Sequence, residues 1–205
     1  MITENITYLA HIAEDGRVQT ILDHLKGSSH LAKEFAQSFK GESQAELAGL
    51  AHDIGKYSSE FQARLNGAAL QVDHATAGAW TCFQAGHIPA AFSIAGHHGG
   101  LPDGGKRTDS SDGSTLWSRI NRAKKGKLPP CDDWKKEVQL PQATTPGFAI
   151  ENAAAGMFFT RMLYSCLVDA DYLDTEIFMS GKHRHSGGKV SEDLLWQRLQ
   201  AYISK

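Results

Sequence analysis

Along most of the chain, apolar residues recur at three- and four-residue spacing. That is the period of a helix with one buried face. From Thr20 onward, Ile21, Leu22, Leu25, Ala32, Phe35, Ala36 and Phe39 keep the period, and Gly41 stops it. His24 lies beside this stripe. Gly27 and the two serines after it weaken the middle and predict a bend or two helices. Ser43-Gln44-Ala45-Glu46 has the form of a capping box, which starts a helix carrying Leu47, Leu50, His52 and Asp53. Residues 58–65 read as a short amphipathic helix closed by Asn66-Gly67. Asp73, as N-cap, opens a small-residue helix through Ala85. Residues 90–96 form another, running into His97-His98-Gly99-Gly100-Leu101-Pro102-Asp103. The strongest helical pattern covers 149–178, with Phe159, Leu163, Cys166 and Ala170 on one stripe. A last amphipathic helix covers 190–203. Asp15-Gly16 is a turn signal, and no strand alternation of useful length is visible. The predicted architecture is all-α: one helical domain over residues 1–205, with mobile loops near 99–115 and 180–189.

Composition adds limits. A chain of 205 residues, 41% hydrophobic and 21% charged, suits one soluble domain with one buried core. A net charge of -2 does not mark a general nucleic-acid binder, nor does it exclude one, because bound metals add positive charge that the count omits. Cys82, Cys131 and Cys166 are odd in number and have no paired spacing. They point to a reducing compartment and away from a disulfide framework or a zinc-cysteine site. No apolar run approaches a membrane span, and the N-terminus has no signal pattern. The expected location is the cytoplasm, with no membrane partner.

The unusual count is 10 histidines. His24, His52-Asp53, His74 and His97-His98 form an ordered series, and Asp169 and Asp171 follow in the long helical stretch. A neighbouring imidazole and carboxylate offer a divalent cation one nitrogen and one oxygen ligand. Lys56 is four residues from His52 and three from Asp53, so on a helix the three share a face. Each piece has a bland explanation. A lone helical histidine is more often a hydrogen-bonded core or surface residue, His-Asp dipeptides arise by chance, and Lys56 can be a surface lysine. The joint series within apolar helices is what chance explains poorly. The basic run 119–127 can track a nucleic-acid backbone, with Trp117 or Tyr57 stacking on a base, or can be a solvated loop. His11, His30 and His87 have no partner in the pattern and read as structural.

These residues carry a resemblance. The chain resembles the HD phosphohydrolase superfamily and, within it, the HD nuclease domain of the type I CRISPR-associated nuclease-helicase. The matching pieces are Leu22-Asp23-His24-Leu25, Gly49-Leu50-Ala51-His52-Asp53-Ile54-Gly55-Lys56-Tyr57 with Phe61, Val72-Asp73-His74-Ala75-Thr76-Ala77-Gly78, Ile94-Ala95-Gly96-His97-His98-Gly99-Gly100-Leu101-Pro102-Asp103, and Asp169-Ala170-Asp171-Tyr172-Leu173-Asp174-Thr175. The His-Asp pair identifies only the superfamily; the Val-Asp-His and His-His-Gly-Gly-Leu-Pro-Asp blocks are more specific.

The resemblance implies a two-metal site at the centre of the bundle. His24, His52, Asp53 and a late aspartate would hold one ion, and Asp53 would bridge to a second held by His74, His97 and His98. Asp169 and Asp171 are about 200° apart on a helix, so they cannot both face one site. The family form Ala-Asp-x-Leu fits Asp171, with Asp169 in reserve. Five imidazoles and two carboxylates suit manganese, iron, cobalt or nickel better than magnesium. Two such ions about 3.5–4 Å apart would activate water for phosphodiester hydrolysis, and Lys56 could neutralise charge on the phosphate. The expected activity is that of a metal-dependent nuclease degrading single-stranded DNA in type I CRISPR antiviral interference. The implied partners are a helicase domain or subunit and a crRNA-guided surveillance complex. The competing expectations are a small-molecule phosphohydrolase, such as a nucleotidase or cyclic-nucleotide phosphodiesterase, and a regulatory module that binds without turnover.

Overall fold

The computed structural model describes residues 7–181 and 191–204. Their architecture is mostly helical, as the apolar period requires, with one small antiparallel hairpin. The hairpin pairs β1 (Leu9–Ile12) with β2 (Val18–Thr20) around the Asp15-Gly16 turn, where Gly16 adopts φ 85°. Strands of four and three residues are too short to display an alternation, so the pattern alone did not reveal them. Their register sets His11 opposite Gln19.

Helix α1 (Ile21–Phe35) follows at once, with the Thr20 hydroxyl accepting the Asp23 N–H at 3.1 Å. The bend expected at Gly27 is absent, and the helix is continuous. The glycine serves another purpose: a Cβ there would overlap Asp174. Helix α2 (Glu42–Ala51) also departs from expectation. It has no side-chain cap, and the Ser43 hydroxyl instead bonds Thr144, accepting its N–H at 3.0 Å. Then come α3 (Ser59–Leu65), α4 (Ala75–Gln84), α5 (Ile88–Gly96) and α6 (Leu116–Lys124). The long helical stretch is interrupted. Asn152 adopts an extended backbone, separates α7 (Gly147–Glu151) from α8 (Ala153–Ser180), and caps α8 through the Ala155 N–H. Helix α9 (Glu192–Ile203) is exposed throughout. Most of the loop expected at 180–189 falls outside the described residues. No helix among the described residues is long and apolar enough to cross a membrane.

Small residues set how closely these helices pack. Ala48 and Ala51 of α2, Ala79 of α4, Ala90 and Ala91 of α5 and Leu167 of α8 share one core cluster. A Cβ on Gly78 would overlap the Ala51 carbonyl, and one on Gly49 would press on the Ser29 backbone. Backbones that approach this closely bring side chains from α1, α2, α4, α5 and α8 to a common centre.

Residues 99–115 contain no helix or strand, as expected. They are fastened to α6: Leu116 and Trp117 donate their N–H groups to Asp103 and Gly104, and Asn121 and Arg122 bond loop carbonyls. Helix α6 is also tied to the start of α4. The N-cap of α4 is His74, one residue later than expected, yet Asp73 just before it still accepts the Thr76 N–H at 3.1 Å, and it pairs with Arg122 at 2.5 Å and Arg119 at 3.4 Å. Burial pushes the Asp73 carboxyl up, but the Thr76 bonds and the two guanidiniums outweigh it and hold it below its ordinary value. A depressed folded pKa stabilises the fold above the unfolded value near 4, and the gain is lost as pH falls through the folded pKa. Asp73→Asn is therefore expected to cost about 1–2 kcal/mol at pH 7. The gap from wild type should narrow as urea melts are repeated from pH 5 down to pH 3.

Candidate metal centre

Most of the ligand-type side chains sit where helices begin or end. His24 projects from the first turn of α1. His52 is the C-cap of α2, and Asp53 follows it with φ -115° and ψ 18°, outside the helix. Lys56 is on a 3-10 turn, Ile54–Tyr57, so the shared α-helical face expected for His52, Asp53 and Lys56 does not form. The turn nonetheless carries the Lys56 ammonium to 2.7 Å from Asp53 Oδ2. Lys56 is 5% exposed, which removes the surface-lysine explanation. His74 precedes α4, His97 caps the end of α5 with His98 next, and Asp171 comes from α8.

All of these converge. Asp53 is fully buried between two groups, with one oxygen toward each. Oδ2 stands 3.4 Å from both His24 Nε2 and His52 Nε2, and Asp171 Oδ1 is 3.2 Å from His24 Nε2. Oδ1 stands 3.4 Å from both His74 Nε2 and His97 Nε2. His98 Nε2 lies 2.7 Å from His74 Nε2. The groups His24, His52, Asp53, Asp171 and Asp53, His74, His97, His98 each offer ligand atoms within 4.8 Å of one another. Asp169 belongs to neither.

The outer ring nitrogens fix which atoms face inward. His52, His74 and His97 point Nδ1 at the carbonyls of Gly49, Val72 and Ile94, at 2.8, 3.3 and 2.7 Å. A carbonyl only accepts, so each Nδ1 carries a proton and each Nε2 is left to bind a cation. His24 Nδ1 donates to Asp174 Oδ2 at 2.8 Å. Two Nε2 atoms then meet at 3.2 Å between His24 and His52. Facing lone pairs repel, so a proton or a metal ion must lie between them. Among the described residues, Asp53 Oδ1 and His97 Nε2 are buried without a hydrogen-bond partner, and Asp53 Oδ2 has its ion pair with Lys56. Such atoms are costly unless something cationic completes them. The donor set thus fits divalent metal.

The metal-free electrostatics agree. Burial lowers the His24 imidazole, but Asp171, Asp174 and Asp53 overcome it and raise it to about 10. His97 is lowered by burial and raised by Asp53, and Asp53 wins. Burial raises Asp53 itself, yet Lys56 and the surrounding imidazoles hold it well below the carboxylate range. Asp171 is likewise held down by His24 and His52 against its burial. Burial lowers His74, and it lowers His98 to about 4. Carboxylates are thus kept ionised, and protons are retained where a cation would replace them.

A family model for the HD domain matches residues 21–132, more than half of the chain. The chain belongs to the HD domain family. It is thereby a metal-dependent phosphohydrolase by family. The match covers His24 through His98, while Asp171 of α8 lies beyond it. Comparison with curated proteins returned no match.

Around the HD centre stand residues that the sequence pattern passed over. Asp174 orients His24 and also accepts from Gln19 Nε2 at 2.8 Å. Gln19 Oε1 in turn accepts from His11 Nδ1 at 2.8 Å, leaving His11 Nε2 to accept from Lys56 Nζ at 3.4 Å. Burial, with Lys56 adding to it, lowers His11 to about 4 and keeps it neutral for this role. His11 is therefore part of the centre's support, not a structural histidine apart from it. The signal for Asp174 was its helical distance of three residues from Asp171, which puts both on one face. His11 and Gln19 gave none, since only the hairpin register joins them. Asp174→Asn removes the charge beside His24 and is expected to weaken metal binding about 10–100-fold, as read by a competitive chelator titration. Other histidines stay apart: His30 is exposed beside Glu34, and His87 lies near Gln44. Tyr57 is buried with its hydroxyl on Glu137 at 2.6 Å, so it offers no face to a base. Trp117 is flanked by Arg107 and Lys124.

Proposed function

We propose that this HD domain is a metal-dependent nuclease that hydrolyses single-stranded DNA. The observation that carries the phosphodiester chemistry is the Asp53 carboxylate with one oxygen toward each ligand group. Divalent metal held by His24, His52, Asp53 and Asp171 and by Asp53, His74, His97 and His98 would supply Lewis acidity for a phosphoryl oxygen and activate water at neutral pH. The mixed nitrogen and oxygen donors favour manganese, iron, cobalt or nickel over magnesium. The chain's own residues do the rest. The Nδ1 bonds hold the imidazoles in one orientation, so the centre is formed before substrate arrives. Lys56, gripped by Asp53 and His11, holds a positive charge at the inner wall, where it offsets charge gathering on the phosphate.

The support for a polymer substrate is that one side of the centre is open. His98 is exposed, and an unobstructed cleft adjoins it and His74. The sequence resemblance supplies the setting: type I CRISPR interference, in which a helicase recruited by a crRNA-guided complex delivers the displaced strand.

The test incubates protein loaded with each metal in turn with circular single-stranded DNA and with a panel of nucleotides and cyclic nucleotides. Nicking of the circle without nucleotide hydrolysis is expected. Nucleotide hydrolysis with an intact circle would establish the small-molecule alternative.

A further inference from the structure

The cleft beside His74 and His98 has a volume of about 470 Å³ and lies between α3, the start of α4 and α6. Its charged lining is three arginines, Arg64, Arg119 and Arg122, against one carboxylate, Asp73. Arg122 is fully engaged, with Asp73 at 2.5 Å and the carbonyls of Ser111 and Gly113 at 2.9 and 3.0 Å. Arg119 is engaged only in part. Its Nη1 reaches Thr76 Oγ1 at 3.0 Å and Asp73 at 3.4 Å, but its Nε is buried with no hydrogen-bond partner. Arg64 is exposed, and its side chain has no ion pair or hydrogen bond among the described residues. One acid against three bases leaves the cleft with two positive charges unmatched, directly beside the edge of the centre.

We infer that this cleft binds the backbone phosphate next to the scissile one, with Arg64 and Arg119 as its donors. The inference rests on the nuclease reading and sharpens it. A strand held at the centre that continues past His74 and His98 enters the cleft and brings another anion with it. A mononucleotide ends before reaching it. Guanidinium forks suit phosphate oxygens, and Asp73 fixes the height of the Arg119 fork while Arg64 swings in from the rim. The cleft thereby selects a polynucleotide over a free nucleotide.

The experiment uses metal-loaded protein and a fluorescein-labelled oligothymidylate, with Arg64→Ala as the variant because Arg64 holds nothing else in place. Expected is a rise in KM and in the anisotropy dissociation constant of about 3–10-fold, with kcat within twofold. The slope of log affinity against log salt should fall by about 0.7, the value for one single-strand phosphate contact. Arg64→Lys should recover most of the affinity, and Lys135→Ala, an exposed lysine paired with Asp132 and outside the cleft's lining, should change neither quantity. Wild-type affinity and salt slope in Arg64→Ala would overturn the inference, as would a loss confined to kcat. DNA cleavage by the wild type alongside an unaffected variant defeats the cleft alone. Failure of the wild type to cleave DNA defeats the nuclease reading and the cleft together.

Discussion

Asp53→Asn is expected to lower hydrolysis by roughly 10³-fold or more, since a shared ligand supports Lewis-acid stabilisation of several kcal/mol at about 1.4 kcal/mol per decade. Both halves of the centre lose their common oxygen donor at once. The amide nearly preserves the shape, but it leaves the buried Lys56 ammonium without its counter-ion at 2.7 Å. Breaking a buried pair in this way costs about 3–5 kcal/mol. The outcome to check is metal content as well as turnover. Elemental analysis of the dialysed variant should show less bound metal than the wild type, and circular dichroism should show the helices retained. A variant with full activity would mean that the hydrolytic centre lies elsewhere.

Gly55→Ala should be nearly as damaging, although it changes no ligand. A Cβ at this position would overlap the carbonyl of His74. Gly55 follows Asp53 by two residues, and His74 belongs to the other ligand group, so the clash is between backbones of the two halves. Neither can yield as a flexible side chain can. The expected cost is about 1–3 kcal/mol in stability, and a displacement near 1 Å should lower turnover roughly 100-fold. The diagnostic measurement is the differential effect on metal. Chelator titration should show the ion held with His74 weakened well before the ion held with His24. Equal weakening of both, or of neither, would mean that the 3-10 turn moves freely past His74.

The helices and the centre were legible in the sequence to different depths, for physical reasons. Apolar spacing exposed α1, α4, α5 and the body of α8, since each buries one face. It failed where a local bond competes with a pattern. Ser43 looked like a cap but spends its hydroxyl on Thr144, and Asn152 interrupts a run whose composition is helical on both sides. Gly27 looked like a weakness; its meaning lies in Asp174, distant in sequence and adjacent in space. The ligand-type residues stood out because histidine and aspartate are rare on apolar stripes. Their supports did not: Gln19 and His11 are unremarkable until two very short strands pair. Gly55 belonged to a recognisable block, but only coordinates show that it makes room for His74.

The span of the ligand groups has a further consequence. His24 comes from the first helix and Asp171 from the eighth, and a single cation gripped by both would tie these two distant parts of the chain together. Such an ion acts as a reversible staple across most of the chain, shrinking the ensemble that the unfolded state can explore. Melting temperature should therefore track occupancy, and chelation should free the carboxyl-terminal half of α8 ahead of the interior.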